Sequence, residues 1–225
     1  IDRYEELNTI TTAVPFLIIS PDAKAGGMGD VGVASTPDAM SMHWNPAKYA
    51  FVEDKAGVAI CYTPWLKSLI PDIDLSYLSG YTKRNDNEAF AFALRYFTLG
   101  EIKFTDNSGN SLGSFNPNEL ALSSTYARKL TNNMSTAIAL RYIYSNLTGG
   151  QQVGTLPTEA GQSIAGDVAT FYTKPIRLGS QNLDLSIGLN ISNIGSKIAY
   201  TETTTRDFIP TNMRFGTAVT SAIDE

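Results

Sequence analysis

Two glycine motifs and a single histidine are the features of this sequence that could do chemistry. Gly27, Gly29 and Gly32 have the G-x-G-x-x-G spacing of a dinucleotide-binding turn, and they follow the apolar run 16–19. That function needs a helix that opens on the last glycine, but residues 33–37, which end in proline, interrupt such a helix. The glycines are expected instead to let an irregular segment pack closely, and no nucleotide cofactor is predicted.

The second motif, Gly109-x-Ser111-x-Gly113, has the spacing of a hydrolase nucleophile elbow. An elbow of this kind needs a strand-to-helix turn and a histidine base, whereas this motif lies in a polar connection and the sole histidine, His43, lies in another part of the chain. No cysteine or carboxylate stands at metal-ligand spacing from His43. The sequence therefore predicts a protein that is not an enzyme, with no catalytic residues, metal site or cofactor.

The segment that carries His43 is rich in glycine and in Asx and proline turns. Residues 1–53 show no regular alternation of apolar and polar side chains, and we expect them to form a compact plug. His43 is expected to hydrogen-bond this plug to the structure around it. The residues predicted to pack the plug are Gly26, Gly27, Gly29, Asp30, His43, Trp44, Asn45 and Pro46.

Composition narrows the class of protein. The formal charge of -5 argues against a nucleic-acid partner, which selects for basic surfaces. Charged residues make up only 17%, against roughly 25% in soluble domains, yet mean hydropathy is -0.10 and no apolar run approaches the length of a membrane helix. Few charges without an apolar block fit a spanning β-barrel, which forms its lipid-facing surface by alternation.

Alternation of apolar and polar side chains begins after residue 53. Leu183, Leu185, Ile187, Leu189 and Ile191 share one parity, and the other carries Asp, Ser, Gly and Asn. Such a segment is typical of a strand between an apolar medium and a polar interior. About eight strands are predicted, at 56–63, 73–83, 88–99, 119–129, 135–145, 167–173, 183–192 and 212–221.

The connections between these strands alternate in length. Longer ones fall at 64–72, 100–118, 146–165 and 195–211, and tight turns fall at 84–87, 131–133 and 178–181. Long loops on one rim and short turns on the other are typical of an antiparallel outer-membrane β-barrel. The alternative is a soluble β-sandwich or lipocalin-like barrel, whose water-facing parity would carry more lysine and glutamate than alanine and glycine.

The parity assigned to the barrel interior is mostly alanine, glycine and serine, which favours a plugged barrel over an open pore. A few charged residues share this parity, and they are expected to form a polar network that pairs across the lumen. A path for a substrate is the other interpretation. These residues are Asp74, Arg95, Arg141, Asp184 and Arg214.

The connection 64–72 carries an apolar group on one face of a predicted helical turn. Three interpretations stay open: an aromatic anchor at the membrane interface, a lid over the barrel mouth, or an exposed patch that binds a partner. Its residues are Trp65, Leu66, Leu69 and Ile70.

Particular stretches of the chain resemble the PorV family, outer-membrane components of the type IX secretion system within the FadL-like transporter superfamily. The resemblance rests on the stretch 27–34, on Trp44-Asn45-Pro46-Ala47, and on the later segments 77–81, 94–97, 139–142, 190–195 and 208–214. It implies a barrel of 14 strands with an N-terminal plug. On this basis residues 1–53 are the plug and 54–225 are barrel strands, and the final strands of the barrel are expected to be missing from the sequence. A complete eight-stranded barrel is the alternative.

The resemblance also implies a function and partners. The partners would be the large translocon barrel of the outer membrane, the C-terminal signal domains of secreted cargo and the cell-surface sortase complex, with the long loops facing the cell surface and lipid around the wall. Cargo would be held by those loops and not threaded through the plugged lumen. The alternative is a FadL-like transporter of long-chain fatty acids or other hydrophobic solutes.

Overall fold

A computed structural model describes residues 11–65, 72–105, 108–109, 111–150, 157–179, 181–201 and 206–221. Its architecture is all-β apart from short helical turns near the N-terminus. These turns are a 3₁₀-helix at Pro15–Ile18, α1 at Ala23–Gly27, α2 at Ser41–Trp44 and a 3₁₀-helix at Pro46–Phe51. Within the described ranges no helix has the length and apolarity to span a membrane.

Ten strands follow these turns in the described chain. They are β1 Ala56–Pro64, β2 Ile73–Asn85, β3 Glu88–Leu99, β4 Ile102–Thr105, β5 Ser111–Phe115, β6 Asn118–Lys129, β7 Met134–Asn146, β8 Gly161–Leu178, β9 Gln181–Gly195 and β10 Asn212–Ser221.

Eight of the strands form one antiparallel sheet in the order β1-β2-β3-β6-β7-β8-β9-β10, and β4 and β5 form a separate hairpin. Neighbours in the large sheet therefore follow one another along the chain, with the β4–β5 hairpin inserted between β3 and β6, as in the wall of an up-and-down barrel. β1 and β10 are its two edges, and they do not pair with each other among the described residues.

The strand lengths and connections agree with the predicted pattern in most places. Short turns join β2 to β3, β6 to β7 and β8 to β9, and the longer connections lie at the opposite rim. Two expectations were wrong in extent. β8 begins at Gly161, so residues 161–165 belong to a strand, and the connection 100–118 contains the β4–β5 hairpin. Gly161 pairs with Ser145 of β7, although the weak contrast between Gly, Ser and Ala and their neighbours hides this strand start in the sequence.

The two faces of the sheet differ in environment. The N-terminal segment, residues 11–55, covers one face, which we call the inner face. There the buried residues are mostly small, including Ala91, Ala93, Ala137, Ala139 and Ala169. The outer face carries large exposed apolar side chains such as Ile60, Phe90, Phe92, Ile138, Leu140 and Phe215. An apolar surface of this extent is unusual in a soluble monomer and suits a wall that faces lipid.

Strand β2 departs from the predicted assignment of faces. Tyr77 and Tyr81 lie buried on the inner face, where the guanidinium of Arg95 lies 5.2 Å from the Tyr77 ring centroid and Tyr81 packs on Tyr49. Asp74 therefore lies on the outer face, and the prediction that it points into the lumen was wrong. The error has a physical reason: the inner face is itself dry where the N-terminal segment covers it, so hydrophobicity alone does not distinguish the two faces of this strand.

Candidate functional site

The contact between the N-terminal segment and the inner face is the candidate functional site, because buried polar groups concentrate there. Asn45 is its central residue. Its Oδ1 accepts from Ala47 N (3.0 Å), capping the 3₁₀-helix that begins at Pro46. Its Nδ2 donates to Val33 O (3.0 Å) and to Thr170 O of β8 (2.9 Å). One buried amide thus fixes the start of a helix, an adjoining loop and the wall.

Short polar side chains of the wall satisfy carbonyl groups of the N-terminal segment. Ser79 Oγ donates to Ala39 O (2.7 Å), and Ser135 Oγ donates to Ala47 O (2.7 Å). Asn190 Nδ2 donates to Trp44 O (3.0 Å). Buried carbonyls left without a donor would cost free energy comparable to a lost hydrogen bond. Serine and asparagine on the inner face therefore hold irregular backbone that cannot satisfy itself.

Arg95 of β3 makes the most extensive link between wall and segment. Its Nη1 donates to Phe16 O (2.7 Å), Leu17 O (2.7 Å) and Ile19 O (3.1 Å), the carbonyls at the end of the first 3₁₀-helix. Its Nη2 lies 2.7 Å from His43 Nδ1. A guanidinium only donates, and its fork of N–H groups suits several carbonyls at once. Arg95 is buried on the inner face.

Arg141 of β7 also lies on the inner face, and its carboxylate partner is Asp167 of β8. Two hydrogen bonds join them, Nη2 to Oδ2 at 2.8 Å and Nη1 to Oδ1 at 3.1 Å. Asn193 adds a bond from its backbone N to Asp167 Oδ1 (2.8 Å), and Asn193 Oδ1 accepts from Arg141. Asn193 has a φ of 59° and lies beside the register shift between β8 and β9. The bulge thus turns a backbone donor toward the ion pair.

Arg214 of β10 completes the group of inner-face arginines. Its Nη1 donates to His43 O (3.3 Å), and its guanidinium lies 5.4 Å from the Trp44 ring centroid. In the described chain neither Arg95 nor Arg214 has a carboxylate within ion-pair distance, although Arg141 has Asp167.

Two basic groups of the N-terminal segment are perturbed by this environment. Burial, followed by the charges of Arg95, Arg214 and Arg141, holds the pKa of His43 well below its usual 6.5. Burial lowers the pKa of Lys48 to about 8, and its Nζ donates to Gly32 O (2.9 Å) and Ser35 Oγ (3.0 Å). Both groups serve structural contacts that do not depend on carrying a charge.

Of the glycines expected to allow close packing, Gly32 does so, whereas Gly26, Gly27 and Gly29 do not. Gly26, Gly27 and Gly29 are exposed, as is Asp30, and a Cβ added to Gly27 or Gly29 would meet no atom within 4 Å. Gly32 instead lies against Trp44, where a Cβ would stand 2.2 Å from the indole ring. On the wall, a Cβ at Gly188 would stand 2.1 Å from Val33 O. His43, Trp44, Asn45 and Pro46 are buried in the contact.

Two carboxylates expected in the lumen network lie outside it. Asp74 accepts a hydrogen bond from the Tyr62 hydroxyl (2.5 Å) on the outer face. Asp184 shares the inner parity but lies exposed near the end of β9, and it forms no ion pair with any described residue. Its position beside the short turn, beyond the area covered by the N-terminal segment, explains this exposure.

Of the four predicted residues in the connection 64–72, the structure describes Trp65 alone. Trp65 is 38% exposed directly after β1, whereas Leu66, Leu69 and Ile70 lie outside the described residues. Ser111 opens β5 in the hairpin and His43 lies in α2, so the hydrolase spacing builds no triad. Across the described ranges no group of His, Cys, Asp or Glu could hold a metal ion.

Comparison with known families decides the identity of this arrangement. The family described as type IX secretion system protein PorV matches residues 2–225. The chain belongs to the PorV family. No curated protein matches it. Membership ties the chain to type IX secretion, and the antiparallel sheet with an apolar outer face fits an outer-membrane protein.

Several residues that hold this PorV-family site together stand outside the predicted set. Asp167, Asn190 and Asn193 lie on or beside the inner face, and Lys48 lies in the N-terminal segment. Parity counted from Gly161 would have placed Asp167 with Ala165 and Ala169 on the inner face. The bulge at Asn193 and the contacts of Lys48 have no comparable signal, because both depend on which loop lies opposite.

Proposed function

We propose that this chain binds the C-terminal signal of secreted cargo and passes it from the translocon barrel to the cell-surface sortase complex. Family membership supports a role in type IX secretion. The observation that carries the finer proposal is the covered inner face, where Asn45, Arg95 and Asn190 bind the N-terminal segment to the wall. Because the N-terminal segment covers the inner face, we infer that cargo binds at the rim of the wall and not inside it.

We further propose that residues 1–53 are the plug and that 54–225 are part of the barrel wall. β1 and β10 keep free edges in the described chain. Further strands would join these edges to complete the 14-stranded barrel that the resemblance implies. The long connections would then face the cell surface, and the exposed apolar residues of the outer face would contact outer-membrane lipid. The protein acts by binding, and we propose no catalysis.

The long-loop rim carries the proposed cargo contact. The β4–β5 hairpin extends from it, and Phe115 at the end of β5 packs against Gly149 of the next loop. On the other side Tyr200 donates to Ser145 Oγ (3.0 Å), and Lys197 lies 3.9 Å from the Phe208 ring centroid. A rim with internal contacts of this kind is preorganised, which lowers the entropic cost of binding a folded signal domain.

The test replaces residues 102–115 by a short Gly-Ser linker and measures cargo that copurifies from outer membranes. We expect cargo recovery to fall at least tenfold while the translocon barrel still copurifies. A matched control replaces Asp86 and Asn87 in the short turn of the opposite rim by serine, which leaves cargo recovery unchanged. Full recovery of cargo by a correctly inserted hairpin deletion would contradict the proposal.

Fatty-acid transport is the second candidate because of one cleft. An open cleft of about 630 Å³ lies between residues 28–36 and β10, and the apolar side chains that line it include Met28, Val31 and Trp44. This volume is in the range of small-molecule sites. Saturable binding of labelled oleate that is lost in Ala218→Trp would support transport, and absence of saturable binding would remove this alternative.

A further inference from the structure

A buried donor of His43 has no partner in the described chain. Arg95 Nη2 can only donate, so His43 Nδ1 at 2.7 Å must be the acceptor. The ring is neutral with a lowered pKa, and its proton therefore lies on Nε2. That N–H is fully buried and makes no hydrogen bond. A buried N–H in this situation calls for an acceptor that the described side chains do not supply.

The surroundings of this donor carry an excess of positive charge. The guanidinium groups of Arg95, Arg141 and Arg214 lie on the same inner face, and of the three only Arg141 has a carboxylate partner among the described residues, Asp167. Arg95 binds carbonyl oxygens and a ring nitrogen, none of which neutralises it. Glu119, the other buried carboxylate of the face, accepts instead from Ser145 Oγ (2.7 Å). Buried charge without a counter-charge is costly in a medium of low dielectric constant.

A small cavity lies among these groups. It is lined by His43, Tyr77, Arg95, Ala121, Ser123 and Arg141, and the space open to the centre of a water-sized sphere is about 10 Å³. That volume holds one water molecule or one ion of similar size. The cavity is thus lined by the histidine that carries the unpartnered donor and by two arginines, and it has room for a single small acceptor.

We propose that this cavity binds one monovalent anion of chloride size, held by His43 Nε2–H and by the guanidinium groups of Arg95 and Arg141. The anion accepts a hydrogen bond from His43 Nε2–H and offsets part of the arginine charge. A water molecule could accept the hydrogen bond but would not offset the charge. It joins α2 of the N-terminal segment to β3 and β7 of the wall. The inference is independent of the cargo proposal.

Crystals of the detergent-solubilised protein soaked in bromide give a direct test. We expect one anomalous peak within hydrogen-bond distance of His43 Nε2. A refined water molecule at that place, with no anomalous signal under saturating bromide, would overturn the proposal and leave an ordered water only.

Thermal unfolding supplies a second test in solution. At constant ionic strength, exchange of gluconate for chloride is expected to raise the Tm in a saturable manner, since a ligand that binds only the folded state stabilises it. Ala121→Val narrows the cavity and should abolish this chloride effect. Ala127→Val, on the same strand and face but away from the cavity, should lower the Tm and keep the effect. A chloride effect that persists in Ala121→Val, or one absent from the wild type, contradicts the proposal.

Discussion

Arg95 Nη2 lies 2.7 Å from His43 Nδ1, so a guanidinium of the wall donates to the neutral imidazole of the N-terminal segment. The same guanidinium donates through Nη1 to three carbonyls at the end of the first 3₁₀-helix. One side chain thus fixes two separate parts of the segment on β3. The contact requires His43 without its second proton, which makes it sensitive to acid.

Acid is predicted to loosen the N-terminal segment. Burial and the nearby arginines lower the pKa of His43 below 6.5, so under acid the unfolded chain takes up a proton that the folded protein excludes. The stability that depends on neutral His43 should therefore be fully present above about pH 6.5 and be lost as the pH drops from there toward 5. Measurement of the Tm from pH 8 to pH 5 tests this.

His43→Gln is the matched variant, because a Gln carbonyl still accepts from Arg95 but does not titrate. His43 is the sole histidine, so few other groups titrate in this window. The variant should show a flatter profile than the wild type between pH 6.5 and 5. Parallel profiles would show that His43 is not the responsible group.

Removing the charge of Asp167 is predicted to destabilise the wall strongly. Asp167→Asn leaves the Arg141 guanidinium, whose side chain is 11% exposed, without a carboxylate. Breaking a buried pair from one side costs about 3–5 kcal/mol. Asp184→Asn on the neighbouring strand should change stability by less than about 0.5 kcal/mol, because Asp184 is exposed. Urea unfolding in detergent measures both, and equal effects would contradict the assignment of Asp167 as the partner of Arg141.

The backbone of the N-terminal segment lies so close to Gly188 that adding one methyl group there is predicted to destabilise the contact. A Cβ there would stand 2.1 Å from Val33 O, so Gly188→Ala must displace the loop 31–36 at a cost of about 1–3 kcal/mol. Limited trypsinolysis at the exposed Lys24 reports on the release of this region. At Gly166, on the outer face of β8, the nearest atom would be 3.5 Å away, and Gly166→Ala should be cut like the wild type.

Alternation and connection length predict most of the wall because the chemistry that sets them is local. The segment 183–192 has parities so different that only one orientation of β9 buries its Ser and Asn and leaves its Leu and Ile partly exposed. β2 fails this rule, since Tyr77 and Tyr81 are apolar enough for lipid but pack on Arg95 and Tyr49. The family motif around Asn45 and Pro46 locates the contact without its geometry, because Thr170 lies 125 residues away along the chain.

The carboxylate partner of Arg141 also could not be predicted from the sequence. Asp74 and Asp184 have the right residue type and an apparent inner parity, yet only Asp167 meets Arg141. Pairing depends on strand register, on the bulge at Asn193 and on how far the N-terminal segment extends over the sheet. These are properties of the assembled sheet. To predict them from one sequence, the strand boundaries must be known, and Gly and Ser residues obscure those boundaries.

Alkaline conditions are predicted to stabilise the N-terminal segment through Lys48. Burial lowers its pKa to about 8, against 10.5 for an exposed lysine. Between these values the unfolded chain binds a proton that the folded protein has released, so stability rises as the pH increases from 8. Tyr49 acts in the opposite direction above about pH 10, since burial raises its pKa and only the unfolded chain then loses the proton. The useful window is therefore pH 8 to 10.

Lys48→Met distinguishes the effect of the titrating amine from the effect of side-chain packing. Methionine keeps much of the aliphatic volume but loses the bonds to Gly32 O and Ser35 Oγ, so the variant should be less stable than the wild type at pH 10. Its Tm should also lack the rise between pH 8 and 10, because no group at position 48 then titrates. Lys55→Met, at an exposed position before β1, is the control and should retain the wild-type slope. A slope that survives in Lys48→Met would assign the alkaline stabilisation to another group and would contradict the burial of a neutral amine beneath Gly32.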